Sequence, residues 1–196
     1  VSGNEFTGNQ WPLRQSDDAT PAYSGNTISG NDHQGIQVQG TMDEGVRWRD
    51  IQGLPYVAIN DVIVEADIHL VVDPGVVVKF SGRSRRSSYY DYMDLVVRGV
   101  LESSGTSGRP VVYTAYTDDV YGGDTNAEGT SSGSAGYWGS IVLEGDGHVF
   151  ERSIVRYGGG HYKKAYNSTG SGVDLTGVSS GVKSCAFHGN SGNALT

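Results

Sequence analysis

Cysteine is almost missing from this chain: Cys185 is the only one in 196 residues. A single thiol excludes an internal disulfide framework and any cysteine-built metal cluster. With Ala186 and Phe187 beside it, Cys185 reads as a small buried side chain. Scarce cysteine leaves the compartment open, because many exported bacterial proteins also lack disulfides. Long apolar runs are missing too. The longest, Gly75-Val76-Val77-Val78, falls far short of the ~20 residues of a membrane helix, and no leader pattern stands out, so membrane insertion is not expected. Positive charge is in deficit, with 14 Lys and Arg against 22 Asp and Glu and a net charge of −8. That balance disfavours nucleic acid and anionic membrane surfaces as partners and suits divalent cations. No stretch carries helical periodicity, no Gly-x-Ser-x-Gly elbow is present, and the five histidines have no metal-ligand spacing.

What is abundant is glycine, at 30 residues, and it is patterned. Ser2-Gly3-Asn4-Glu5-Phe6-Thr7-Gly8-Asn9 matches Ser24-Gly25-Asn26-Thr27-Ile28-Ser29-Gly30-Asn31 at a spacing of 22, and Ala186-Phe187-His188-Gly189-Asn190 echoes both. A period near 22, with an apolar residue between Gly-Asn turns, is the length of one coil in a solenoid of short parallel strands. The chain then holds roughly eight coils or fewer in a single domain over residues 1–196. Both termini fall inside a repeat, so the reading is of a fragment of a longer multi-module protein.

Alternation with period 2 marks half-buried strands at Gly35 to Gly40, Ser140 to Gly145 and Gly172 to Gly177. Denser β-branched runs at Val62-Ile63-Val64, Ile68 to Val72, Val76 to Phe80 and Leu95 to Leu101 predict strands buried on both faces, as parallel strands require. Two insertions, Ser81 to Asp94 and Thr117 to Tyr137, do not fit a coil and are expected to project. Trp48 and Trp138, each flanking a strand, read as structural.

The ordered set Pro55-Tyr56-Val57, Asp73-Pro74-Gly75 with its valines, Leu95 to Leu101, Gly108 to Thr114, Asp118-Asp119, Gly122 to Asn126, Trp138 to Ile141 and Val155 to Gly159 resembles right-handed parallel β-helix modules of large secreted and surface-anchored bacterial proteins. The resemblance covers most of residues 36 to 160. It implies an all-β, right-handed parallel β-helix with two long projecting loops, located outside the cell or at its surface. The family spans adhesins, matrix proteins and non-catalytic parts of polysaccharide-degrading enzymes, so fold alone does not choose among them.

Two groups of residues carry candidate chemistry. Asp124-Thr125-Asn126-Ala127-Glu128-Gly129 spaces oxygen ligands at alternate positions before a turn glycine, as in the first half of Asp-x-Asn-x-Asp-Gly calcium loops. Asp118, Asp119, Asp124, Asn126 and Glu128 are the nominated calcium ligands; the competing reading is a solvated loop whose side chains cap turns. The second group is aromatic and basic: Arg85, Arg86, Tyr89, Tyr90 and Tyr92 on the first insertion, with Tyr162 and Tyr166 further on. Tyrosines on loops stack on sugar faces and offer a hydroxyl, so these residues are the expected contacts for an extracellular glycan or surface protein. The preferred function is a non-catalytic module, a rigid spacer or adhesive surface between neighbouring modules. The alternative is a polysaccharide lyase, with Arg83, Arg85, Arg86 and Lys79 as its cations, or an inverting glycosidase working through Asp118, Asp119 and Asp124.

Overall fold

The computed structural model describes the chain except residues 17, 87–88, 161–169 and 177–180, and gives only the backbone of 83–86, 89–91 and 176. Among the described residues there is no helix, and nineteen short strands pair in parallel throughout, apart from one hairpin. The strands fall on three tracks. One runs through Leu13–Arg14, the first half of Ile36–Met42, the first half of Tyr56–Val64, Val77–Phe80, Val111–Ala115, Ser153–Arg156 and Ala186–His188. A second takes the later halves of Ile36–Met42 and Tyr56–Val64, then Leu95–Val97, Ile141–Glu144 and Val173–Thr176. The third holds Val46–Trp48, His69–Val72, Val100–Ser104, Val149–Glu151 and Gly181–Lys183. Each pass of the chain visits the tracks in the same order. The two long strands join the first two tracks into one ten-stranded sheet, and a register shift between Val38 and Gly40, where Gly40 has φ of 98°, turns the chain from one track to the next.

Period-2 alternation determines what fills the middle. Ile36, Tyr56, Val78, Tyr113 and Val155 stack in register on the first track, and Val62, Leu95, Ile141 and Val173 on the second, all buried in one core. Each such side chain contributes roughly 1.5–3 kcal/mol by leaving water. Aromatic pairs add to the stacking: Phe80 lies on Trp138 with ring centroids 4.1 Å apart, and Trp48 on Tyr56 at 5.1 Å. Both tryptophans are core residues, as their sequence positions suggest. Cys185 is half-buried, its Sγ 3.3 Å from the carbonyls of Phe150 and Lys183.

The 22-residue repeat is a hydrogen-bond ladder. Asn26 Oδ1 accepts the backbone N–H of Asn4 at 3.0 Å, and Asn31 Oδ1 that of Asn9 at 3.0 Å. Their Nδ2 groups donate to Val1 and Phe6 carbonyls in the coil before. Asn190 repeats the device, accepting from Gly158 N at 2.8 Å and donating to Val155 O. It does so elsewhere in the cross-section, however: Glu5–Phe6 and Thr27–Ile28 form their own two-stranded sheet, whereas Ala186–His188 belongs to the large one.

The insertions differ from each other. The first carries an antiparallel hairpin, Arg83–Arg86 with Tyr89–Tyr92. The second does not project as expected; it lies back on the first track, with Asp118 and Thr125 fully buried, as is Trp138 just past its end. The cause is the outward-facing row of that track, Val57, Lys79 and Thr114 in register, whose buried valine and threonine methyls need a cover. Gly122 supplies the close approach: with φ of 73°, a Cβ there would stand 3.2 Å from Pro55 and 3.3 Å from Lys79 Cε.

Candidate functional site

The docked loop is organised around a buried lysine. Lys79 points outward from its strand into the loop, where Nζ donates to Gly123 O and Thr125 Oγ1, each at 2.6 Å. Burial lowers its pKa to about 8, against the opposing pull of Asp119, Asp118 and Asp124. Next along the row, Thr114 Oγ1 donates to Asp118 Oδ2 at 2.6 Å, and Arg156 Nη1 pairs with the same oxygen at 3.1 Å. Arg156 is in turn held over the rings of Tyr157 and Tyr121, at 4.9 and 5.2 Å. The far end of the loop is clasped by an aromatic group that the sequence reading did not single out. Trp11 and His33 rings lie 4.2 Å apart, Tyr116 Oη meets His33 Nδ1 at 2.7 Å, and Gln34 N donates to Thr125 O at 2.8 Å.

The five nominated calcium ligands therefore have separate duties. Asp118 is committed to Thr114 and Arg156. Asp119 Oδ2 accepts from Ser131 N at 2.6 Å, and Asp124 Oδ2 from Gly129 N at 3.0 Å. Glu128 is exposed. Two oxygens, Asp119 Oδ1 and Asn126 Oδ1, are buried without a hydrogen-bond partner, and these are what the loop offers a cation. Among the described residues no three His, Cys, Asp or Glu side chains gather as a metal centre. Calcium would draw on those two oxygens and on carbonyls, with the Lys79 ammonium already holding the base of the loop.

Of the tyrosines nominated for recognition, Tyr92 lines a cleft of about 440 Å³ with Ser81, Gly82, Ser134, Ala135, Gly136 and Tyr137. Its walls are tyrosine rings seated on bare backbone. A Cβ at Gly82 would stand 2.9 Å from the Tyr137 ring, and one at Gly160 would stand 2.4 Å from the Tyr92 ring. Burial raises the Tyr137 phenol pKa, keeping it a neutral donor. Arg85, Arg86, Tyr89 and Tyr90 are in the hairpin that ends at Tyr92, and their side chains lie outside the described residues, as do Tyr162 and Tyr166 altogether. Tyr137 was missed in the sequence because it sits at the end of a Gly/Ser-rich stretch with no aromatic neighbour but Trp138.

No family model, no curated protein and no solved structure matches this chain. The residues themselves must carry the reading. Among the described residues no helix is long and apolar enough to cross a membrane.

Proposed function

We propose that this chain is a right-handed parallel β-helix module of an extracellular or cell-surface protein, acting as a rigid spacer whose side bears a glycan-binding cleft between Tyr92 and Tyr137. The cleft carries this reading. Its volume of about 440 Å³ falls in the range of small-molecule sites, and its two phenol rings and two serines suit a sugar's C–H faces and hydroxyls. The non-catalytic side of the reading rests on the acidic loop, where Asp118 is buried and ion-paired instead of facing a groove. The solenoid side rests on parallel pairing at the 22-residue register and the asparagine ladder. Calcium, as a stiffener of the loop through Asp119 and Asn126, and neighbouring modules stacked on the ends complete the proposal.

A glycan array separates the alternatives. Wild type should give discrete sugar signals that Tyr92→Ala and Tyr137→Ala each abolish while the β-sheet circular dichroism of the folded chain is retained. New reducing ends or unsaturated products from a polysaccharide panel would replace the binding reading with an enzymatic one.

A further inference from the structure

On the third track, away from the tyrosine cleft, the side of the molecule carries an arginine groove. Arg47, Arg49, Asp50, Asp73, Pro74 and Arg109 enclose about 450 Å³. A second hollow of about 310 Å³ adjoins it, sharing Arg47 and Arg49 and adding His69 and the valines Val46 and Val71. Three guanidinium groups meet Asp50 and Asp73 in this groove, with Glu102 also acting on Arg47, on a chain whose net charge is −8.

The three arginines are not equivalent. Arg47 is paired with Asp73, Nε to Oδ1 at 2.8 Å, and Arg109 is paired with Asp50. Asp50 is itself fixed in its turn by the N–H of Gly53 at 3.0 Å. Among the described residues Arg49 has no carboxylate partner, and its guanidinium bonds only to the Thr20 carbonyl at 3.3 Å. Its backbone is nevertheless rigidly placed, since Tyr56 Oη, reaching out of the core, accepts from Arg49 N and donates to Arg49 O, both at 3.1 Å. Arg109 is seated by Gly75, whose φ of 88° and missing side chain let the guanidinium lie on the turn; a Cβ there would stand 2.8 Å from Nε and Nη2. The result is an unpaired, half-buried guanidinium set between two ion pairs that hold their own arginines in place.

We propose that this groove binds a sulfated sugar, with its sulfate ester on the free fork of Arg49 and its ring against Pro74 and the Val46–Val71 side of the adjoining hollow. A planar guanidinium matches an oxyanion with two parallel hydrogen bonds, which an ammonium does not. The flanking Arg–Asp pairs supply further donors while limiting the net charge, so binding depends on fit at Arg49 as well as on long-range attraction. The two adjoining hollows, about 450 and 310 Å³, have room for a disaccharide or longer.

The test is calorimetric titration of the whole chain with a sulfated hexasaccharide, its desulfated counterpart, sodium sulfate and a poly-glutamate peptide. The sulfated sugar should bind at 50 mM salt, weaken as salt rises, and lose at least about tenfold in Arg49→Gln. Gly75→Ala, which displaces Arg109 without removing a charge, should weaken it less. Tyr92→Ala should leave it unchanged, so this site and the tyrosine cleft fail or stand separately. Equal binding of the desulfated sugar, or undiminished binding by Arg49→Gln, overturns the proposal. So does poly-glutamate binding as tightly as the sulfated sugar, or a response to sodium sulfate alone.

Discussion

Lys79 shows how much one position in a register can decide. Val57, Lys79 and Thr114 are neighbours across parallel strands, all facing away from the core. A lysine there should snorkel to water. Instead the second insertion closes over it and takes both its hydrogen bonds from loop atoms. Because its folded pKa is about 8 and the ordinary value is 10.5, the unfolded chain binds more protons between those limits, so this group makes stability rise with pH across that window. Tyr56 and Tyr113 act in the opposite sense: burial raises their pKa above 10.0, so they hold protons that the unfolded chain loses, and stability falls above about pH 10. Burial also raises the Cys185 thiol above 9.0, which opposes Lys79 in the upper part of that window, so wild-type melting temperature is expected to climb from pH 7.5 to 9.5 relative to Lys79→Met. A climb of the same steepness in the variant would detach it from Lys79. Asn31 offers a second measure at this scale. It is 5% exposed and bonds to the coil before it through both side-chain atoms. Asn31→Ala takes the acceptor from the Asn9 N–H and one of two donors from the Phe6 carbonyl, which keeps Ser29 N, and should cost about 1–3 kcal/mol in chemical denaturation.

At the scale of elements, the two insertions have opposite relations to the strands they interrupt. The second is tied down along its length, by Lys79 and Asp118 near its start and by Ser131 and Trp138 later. Asp118→Asn retains the shape but loses the Arg156 ion pair, inside a buried site where a broken pair is costly; a loss of about 3 kcal/mol or more in urea unfolding is expected. Thr114→Val, which removes only the neutral donor, should cost less, about 1–3 kcal/mol. If calcium binds the loop through Asp119 Oδ1 or Asn126 Oδ1, millimolar calcium raises the melting temperature over a chelator control, and Asp119→Asn or Asn126→Ala removes that rise. Identical melting curves with and without chelator would remove calcium from the account. The strand runs and the existence of both insertions were legible in the sequence, because β-branched alternation and Gly/Asp punctuation are local signals. Whether an insertion projects or docks was not. Its docking depends on Val57 and Lys79 facing outward beneath it, and Lys79 is 46 residues from its partner Thr125.

For the whole molecule, stability is shared between layers, since each strand leans on the ones before and after it. Leu101 is fully buried and pairs with Leu70, and Val97 pairs with Val64 and Leu143, so both sit mid-stack. Leu101→Ala should cost about 2–5 kcal/mol, and it should lower the single unfolding transition instead of splitting it if the stack is cooperative. The all-β character and the parallel pairing at a 22-residue step were determined by the sequence alone. Gly-Asn corners with left-handed glycines and period-2 strands act within a few residues, and a repeated local instruction stacks on itself. The tertiary structure alone decided four other things. It placed the echo at Asn190 beside a different sheet from Asn26 and Asn31, although all three use the same bonds. It committed Asp118 to Arg156, and it brought Tyr137 beside Tyr92 and Arg109 beside Asp50. Those outcomes depend on insertions that stretch the register and on contacts between distant coils. Nothing in the local spacing of residues encodes which distant side chain will face which.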